Sequence, residues 1–446
     1  MTTMLKTILK TEIFTTGRET FVFSRSPMLI LRAMKYAVFN FRQRFLRKYI
    51  NVCAPTLFFL IFVQSCTAQT NPARKHQGYG PAAQQTAPIL PGAFQMTEYL
   101  PLLEGKKVGI TGNQTSTLGK THLVDSLISR GVSVLRVFSP EHGFRGDADA
   151  GESVQSGIDT KTGLPLVSLY GKNKKPTNDQ LQGLDVMVFD LQDVGVRFYT
   201  YISTLHYVME ACAENSIPVI LLDRPNPNAD YIDGPVREEA QKSFIGMHPV
   251  PVVYGMTIGE YGQMINGEKW ISTPCELTVI RIRNYDHSAP YSLPVSPSPN
   301  LRTDNAIAWY PSLCFFEGTI VSVGRGTEKP FEIIGHPDYD KGKYTFTPSP
   351  GYGSKSPVLN GQLCRGIDFS DSIAPRHLTL QPVIDFYRET GKGSAFFLKN
   401  NFFDLLAGNK TLRQRIEQGW SEEQIRSEWQ EDLRQFKEIR KKYVLY

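Results

Sequence analysis

Short apolar runs and amphipathic stretches alternate along the chain between residues 107 and 223. The runs, which are typical of buried parallel strands, are 107–111, 132–138, 166–170, 186–190 and 219–223. Helical spacing separates them at 123–130 and 201–215, and Ile202, Leu205 and Val208 share one face of the second stretch. Because strands alternate with helices, the pattern predicts an α/β fold with a Rossmann-like parallel sheet.

This regular alternation stops near residue 270. Beyond it, Pro, Gly and aromatic residues are frequent, strand patterns occur at 276–282 and 320–323, and an amphipathic helix begins at Ser421, which forms a capping box with Gln424. The pattern predicts a second, smaller α/β domain. The predicted organisation is a leader at 1–66, a flexible tether at 67–96, a Rossmann-like catalytic domain at 97–270 and a C-terminal α/β domain at 271–446.

The leader has the pattern of a secretory signal. A basic stretch precedes the apolar run 52–63, which is shorter than the roughly 20 residues of a membrane-spanning helix. Residues 63–66 resemble a bacterial lipoprotein cleavage box with Cys66 as the lipidated residue, and cleavage after Ala68 is the alternative. We expect an exported protein, periplasmic or anchored as a lipoprotein, that contacts a membrane only through this lipid. The depth of the signal is consistent with translation from Met34 or another internal Met.

The leader also explains the net charge of +6. It holds ten of the 49 Lys and Arg residues and two of the 43 Asp and Glu residues, so the rest of the chain has a formal charge near −2. The basic balance therefore gives no reason to expect a nucleic-acid partner.

The loop after the first predicted strand argues against a nucleotide cofactor. Residues 111–119 lack the Gly-x-Gly-x-x-Gly spacing that lets a pyrophosphate approach a helix N-terminus. Gly-Lys-Thr occurs at residues 119–121, but not in the Walker pattern Gly-x-x-x-x-Gly-Lys-Ser/Thr, because six residues rather than four separate Gly112 from Gly119. No cofactor is expected.

Polar residues follow three of the predicted strands. Glu141 and His142 come after Phe138, a polar group from Gln192 to Tyr201 follows Asp190, and Arg224, Asn226 and Asn228 follow Asp223. Because parallel strands end at one edge of a sheet, these side chains should converge. Carboxylates, arginines, amides and tyrosines together suit a hydroxyl-rich ligand such as a sugar.

Glu141 is the first candidate for chemistry. Glycoside cleavage needs an acid that protonates the leaving oxygen and a second group that activates water or attacks the sugar. Glu141 and His142 lie in a loop bounded by Pro140 and Gly143, and Asp193 is the candidate second group, with Asp190 more simply a structural acceptor. Glu141 could instead cap a helix or pair with Arg145.

Other candidates would bind the substrate. Arg197, Tyr199 and Tyr201 alternate, which can place them on one face of an extended segment, although packing on the next helix would give the same pattern. Arg325 lies between two glycines and could bind a carboxylate or form a turn. No metal is expected, because no second His or Cys stands at a ligand spacing from His142.

Six motifs in this order resemble the exo-β-N-acetylmuramidases of the NamZ type: residues 110–115, 139–146, 189–201, 222–227, 254–257 and 323–327. The likeness extends from about residue 97 to the closing residues 443–446. It implies removal of terminal N-acetylmuramic acid from peptidoglycan fragments in a cleft between a Rossmann-like domain and a smaller one. It also implies Glu141 as acid/base, with the second group unassigned and the acetamido group of the substrate able to participate.

Muramic acid carries a lactyl ether with a carboxylate, so selectivity needs a cation at a fixed place. Arg145, Arg197 and Arg325 are the candidates, together with Tyr199, Tyr201 and Asn226 as further contacts. Two other functions stay open. A muropeptide-binding lipoprotein without activity would have the same cleft, whereas an esterase or amidase is disfavoured because no Gly-x-Ser-x-Gly elbow occurs at a strand end.

Overall fold

The computed structural model describes residues 87–144 and 156–446, together with the backbone of a separate hairpin near the start of the chain. In that hairpin, β1 (Glu12–Thr16) pairs antiparallel with β2 (Glu19–Phe23). The predicted lipidation site, Cys66, and the predicted substrate-binding residue Arg145 lie outside the described residues.

Seven strands form the large sheet of the main unit. They are β3 (Lys107–Gly112), β6 (Ser133–Ser139), β7 (Gly157–Ile158), β8 (Pro165–Ser168), β9 (Val186–Asp190), β10 (Val219–Leu222) and β11 (Leu277–Ile280). A small pair, β4 (Thr117–Leu118) and β5 (Thr121–His122), lies between β3 and β6 in the chain. The order across the sheet is β11-β10-β9-β3-β6-β8-β7, and all neighbours are parallel except the edge pair β7 and β8. The predicted Rossmann-like parallel sheet is confirmed.

Helices cover both faces of this sheet. The helices of this part are α1 (Met96–Leu103), α2 (Leu123–Ile128), α3 (Asn178–Leu181), α4 (Tyr201–Glu214) and α5 (Ile258–Gly267). Tyr99 and Leu127, from α1 and α2, share one apolar cluster with Val188 of β9, whereas Leu205 of α4 shares the other with Phe189. Alternate residues of β9 thus face opposite cores, which is why its five residues are all buried.

The smaller part of the fold follows β11. It contains α6 (Asp304–Leu313), α7 (Gln381–Thr390), α8 (Phe402–Ala407), α9 (Thr411–Glu417), α10 (Glu422–Ser427) and α11 (Gln430–Arg440). Its antiparallel sheet has the order β12 (Ile333–His336), β14 (Cys364–Asp368), β13 (Tyr344–Phe346). Short 3₁₀ helices occur at Gly92–Phe94, Glu239–Gln241, Cys314–Gly318 and Gly393–Phe396.

Three local predictions need correction. The strand predicted at 276–282 belongs to the large sheet, because Leu277–Ile280 pairs with β10; the domain boundary at residue 270 itself stays a prediction. The strand predicted at 320–323 is absent, since Ile320 bonds Phe396 while Ser322 makes a single bridge to Gly335. The closing helix is two helices, α10 and α11, although its capping box is present.

Candidate active site

A cavity of about 640 Å³ opens where β6 ends. The loop after β6 and the start of α4 form one part of its wall, with Glu141, His142, Tyr199 and Thr200. The C-terminal part of the chain supplies another part, with Tyr310, Glu317, Arg325, Phe331 and Lys355 among its residues. The two parts of the fold therefore enclose one cavity, as expected for a cleft between a Rossmann-like domain and a smaller one.

Glu141 enters this cavity from a tight turn. The strand stops at Pro140, whose carbonyl accepts a hydrogen bond from the Gly143 amide at 3.1 Å. His142 and Gly143 both have positive φ, 70° and 77°, so the chain reverses at once after the glutamate. The Thr200 hydroxyl donates to Oε2 of Glu141 at 3.2 Å. A partly exposed carboxylate is thus presented to the cavity by a buried strand and oriented by the N-terminus of α4.

Tyr199 and Tyr201 do not share a face of an extended segment, and that prediction is wrong. The Tyr199 amide bonds the Val196 carbonyl in a turn, and Tyr201 is the first residue of α4. Both hydroxyls reach the Pro297 carbonyl, at 2.7 Å from Tyr199 and 3.4 Å from Tyr201. Tyr199 lines the cavity, whereas Tyr201 is buried beneath it and accepts a hydrogen bond from Asn113 at 2.7 Å.

Asp193 lies outside the wall of the cavity. Its Oδ2 accepts hydrogen bonds from the Tyr254 hydroxyl and from the Gly195 amide, the latter at 2.7 Å, whereas the buried Oδ1 has no partner within the described residues. Burial raises the pKa of Asp193 to about 6, although these hydrogen bonds act in the opposite direction. Asp190 is a structural acceptor, since it forms a buried two-point ion pair with Arg224.

Arg197 is placed differently from the prediction. It is fully buried, and its two Nη nitrogens donate to four main-chain carbonyls: Pro235 and Val250 at 2.7 Å, Leu406 at 2.9 Å and Ala407 at 2.7 Å. A guanidinium used in this way has no face for a substrate. Arg197 ties the loop before α5 to the end of α8 rather than reading a ligand.

Asn226 also bonds protein groups. Its Nδ2 donates to the Met256 carbonyl and its Oδ1 accepts from the Asn228 amide, both at 2.8 Å. It lines a separate pocket that also contains Asp230 and His287. The sequence brings Asn226 to the sheet edge as predicted, but the structure does not bring it to the cavity with Glu141.

Arg325 does line that cavity. Its Nε donates to Oε1 of Glu317 at 2.6 Å, and its guanidinium lies 5.0 Å from the centre of the Phe331 ring. Burial opposes the charge on Arg325, but the Glu317 carboxylate raises its pKa above the ordinary value.

Several lining residues were not predicted. Glu317 lies in a 3₁₀ helix between Phe316 and Gly318, within an apolar stretch that shows no strand end or motif. Aromatic side chains also line the cavity: Tyr170, Phe198, Phe244, Tyr310 and Phe331. Aromatic content was visible in the sequence, but the choice of these rings depends on the tertiary structure.

Within residues 87–144 and 156–446, no group of three or more His, Cys, Asp or Glu side chains is arranged to hold a metal ion. Across the same residues, no helix is both long and apolar enough to cross a bilayer.

Two family models match the chain and together cover most of it. The first, described as exo-beta-N-acetylmuramidase NamZ, N-terminal, matches residues 108–305. The second, the C-terminal model of the same family, matches residues 308–446.

Individual proteins are similar over comparable lengths. The chain is 40% identical over 378 residues to the peptidoglycan beta-N-acetylmuramidase NamZ of Bacillus subtilis (strain 168), covering 79% of this chain and 89% of that protein. Two crystal structures of DUF1343 family proteins from Bacteroides fragilis NCTC 9343 are also similar. One has a TM-score of 0.75 and 42% identity over 81% of this chain and 99% of the other. The second has a TM-score of 0.69 and 30% identity over 80% of this chain and 99% of the other.

Proposed function

Because this chain belongs to the exo-β-N-acetylmuramidase NamZ family, we propose that it is an exo-acting glycosidase that releases terminal β-linked N-acetylmuramic acid from peptidoglycan fragments, with Glu141 as general acid/base. The observation that carries the proposal is the position of Glu141. Its carboxylate lines the cavity at the turn after β6 and accepts a hydrogen bond from Thr200. The muramidase from B. subtilis, similar over most of its length, supports the substrate.

The chemistry assigned to Glu141 is proton transfer. As an acid it protonates the glycosidic oxygen when the bond to the anomeric carbon breaks, and as a base it takes a proton from the attacking water. His142, next in the turn and also lining the cavity, lies within the same site and can hydrogen-bond substrate or water. The attack itself comes from water or from the acetamido group of the substrate.

Asp193 contributes from behind the wall in this proposal. It accepts hydrogen bonds from Gly195, in the loop that leads to Thr200, and from Tyr254, in the segment before α5, so it fixes the loop whose Thr200 contacts Glu141. The aromatic rings of the cavity offer apolar faces for sugar rings.

Export, and lipidation at Cys66, stay predictions, because those residues lie outside the described part of the chain. Separation of membrane and soluble fractions for wild type and Cys66→Ser tests them, and an unchanged distribution would exclude the lipid anchor.

The test of the proposed reaction is release of a chromophore from a synthetic β-N-acetylmuramide and from the matching β-N-acetylglucosaminide. Wild type should cleave the muramide, and Glu141→Gln should lower kcat by roughly 10²–10⁴-fold while muramic ligands still bind. Glu104→Gln, which changes an exposed glutamate, is the matched control. If wild type binds muramic ligands but cleaves neither compound, the chain is a binding protein and the proposal is wrong.

A further inference from the structure

The part of the cavity wall that comes from the C-terminal half carries three charged side chains: Arg325, Lys355 and Glu317. Arg325 and Glu317 form an ion pair at this wall, with 2.6 Å between Arg325 Nε and Glu317 Oε1.

Arg325 is held in a fixed orientation. The Glu317 carboxylate accepts a hydrogen bond from Arg325 Nε, and the ring of Phe331 lies against the guanidinium. The backbone on both sides is also constrained, because a Cβ at Gly324 would lie 2.6 Å from Ile333 Cγ1 and one at Gly326 would lie 2.5 Å from the Ser349 carbonyl oxygen. The loop therefore has little freedom to reorient the arginine.

This arrangement leaves the other edge of the guanidinium for a ligand. A guanidinium presents its donors in a planar fork, so a carboxylate bound at Nε leaves the two Nη nitrogens able to bind a second carboxylate through two hydrogen bonds. The structure describes two of the candidate arginines. The Nη nitrogens of Arg197 donate to four main-chain carbonyls, whereas Arg325 donates to Glu317 through Nε.

We infer that Arg325 binds the lactyl carboxylate of the substrate and that Glu317 is the positioning residue that orients Arg325. The inference rests on the proposed function and names the residues that recognise the lactyl group of its substrate. A stem peptide converts the lactyl carboxylate into an uncharged amide.

The test compares two chromogenic β-N-acetylmuramides, one with a free lactyl carboxylate and one with that group as its N-methylamide. Wild type should prefer the carboxylate in kcat/KM by roughly tenfold to a hundredfold, the size of a charged hydrogen-bonded pair. Arg325→Gln should reduce this preference, chiefly by raising KM for the carboxylate compound.

Glu317 needs a readout that separates positioning from chemistry. Glu317→Gln should raise KM for the carboxylate compound and leave kcat for the amide within a few-fold, and Glu317→Asp should partly restore the preference. Loss of kcat on both compounds would show instead that Glu317 takes part in bond cleavage and would overturn its assignment.

Arg415 and Glu428 provide a matched control pair. Arg415 Nε lies 2.8 Å from Glu428 Oε1 and the guanidinium lies 4.2 Å from the Trp420 ring centre, but neither residue lines the cavity. Arg415→Gln and Glu428→Gln should leave the preference unchanged. For any cavity variant that unfolds, Arg325→Lys keeps the charge without the fork and should lose part of the preference.

The two proposals fail in different ways. If wild type cleaves the carboxylate and the amide equally well, the carboxylate site is wrong and the muramidase stands. If wild type cleaves neither muramide, the proposed function itself is wrong.

Discussion

His142 has a backbone φ of 70°, which is rare for a residue with a Cβ, and it lies directly after the proposed acid/base. The side chain is 5% exposed and lines the cavity. Left-handed backbone at a non-glycine residue costs free energy, so it is retained where the surroundings hold it in place. The imidazole is therefore placed at the cavity at some expense of stability.

Substituting His142 by Gly and by Ala should separate the imidazole from its backbone. Both variants should lose activity to a similar extent if the imidazole acts on the substrate. Gly should be more stable than Ala by about 1 kcal/mol, because only Gly adopts this φ without strain. Urea unfolding measures the stability, and turnover of the chromogenic muramide measures the activity. Full activity in either variant would remove His142 from the site.

At the scale of elements, Arg197 joins segments that are far apart in the chain. The carbonyls it binds belong to Pro235, Val250, Leu406 and Ala407, so one side chain connects the loop before α5 with the end of α8. Burial and the nearby Arg237 lower the pKa of Arg197 to about 9, but at neutral pH it remains a cation among carbonyl dipoles.

Arg197→Met should destabilise the protein strongly. Each buried carbonyl left without a donor costs roughly 1–3 kcal/mol, so the total loss should be on the order of 4 kcal/mol or more. Arg197→Lys, which has fewer hydrogen-bond donors than arginine, should have a stability between those of wild type and Arg197→Met. Arg434→Met, at a side chain 74% exposed, is the control and should change stability little. A stable Arg197→Met protein with a raised KM would instead restore the substrate-binding role.

At the scale of the whole molecule, burial of carboxyl groups ties stability to pH. Burial raises the pKa of Asp193 to about 6 and that of Asp223 to about 7, from an ordinary value of 3.8. Burial lowers the pKa of His206 and His248, which hydrogen-bond each other at 2.9 Å. As pH falls, the aspartates favour the folded state and the histidines oppose it, so wild-type stability alone shows the sum of opposed effects.

Asp193→Asn should isolate one of these effects. In the unfolded chain the carboxyl ionises near pH 4, whereas in the folded protein it keeps its proton until about pH 6. Wild type should therefore lose stability relative to the variant as pH rises from about 4 to about 6, by at most on the order of 3 kcal/mol, and the difference should be constant above that window. Denaturant unfolding across pH 4–8 measures it, with the exposed Asp371→Asn as control. A difference independent of pH would contradict the raised pKa.

Local patterns determined much of this protein. Strands that are apolar at every position are stable only when both faces are buried, so the sequence predicted the parallel strands from β3 to β10. Pro140 and the nearby glycines likewise predicted the turn that presents Glu141. The tertiary structure decided what each polar side chain contacts. Arg197 and Arg325 look equivalent in the sequence, yet carbonyls from distant segments surround the first, whereas Glu317 and Phe331 hold the second at the cavity. Such contacts join residues that are distant along the chain, so a local sequence pattern does not predict them.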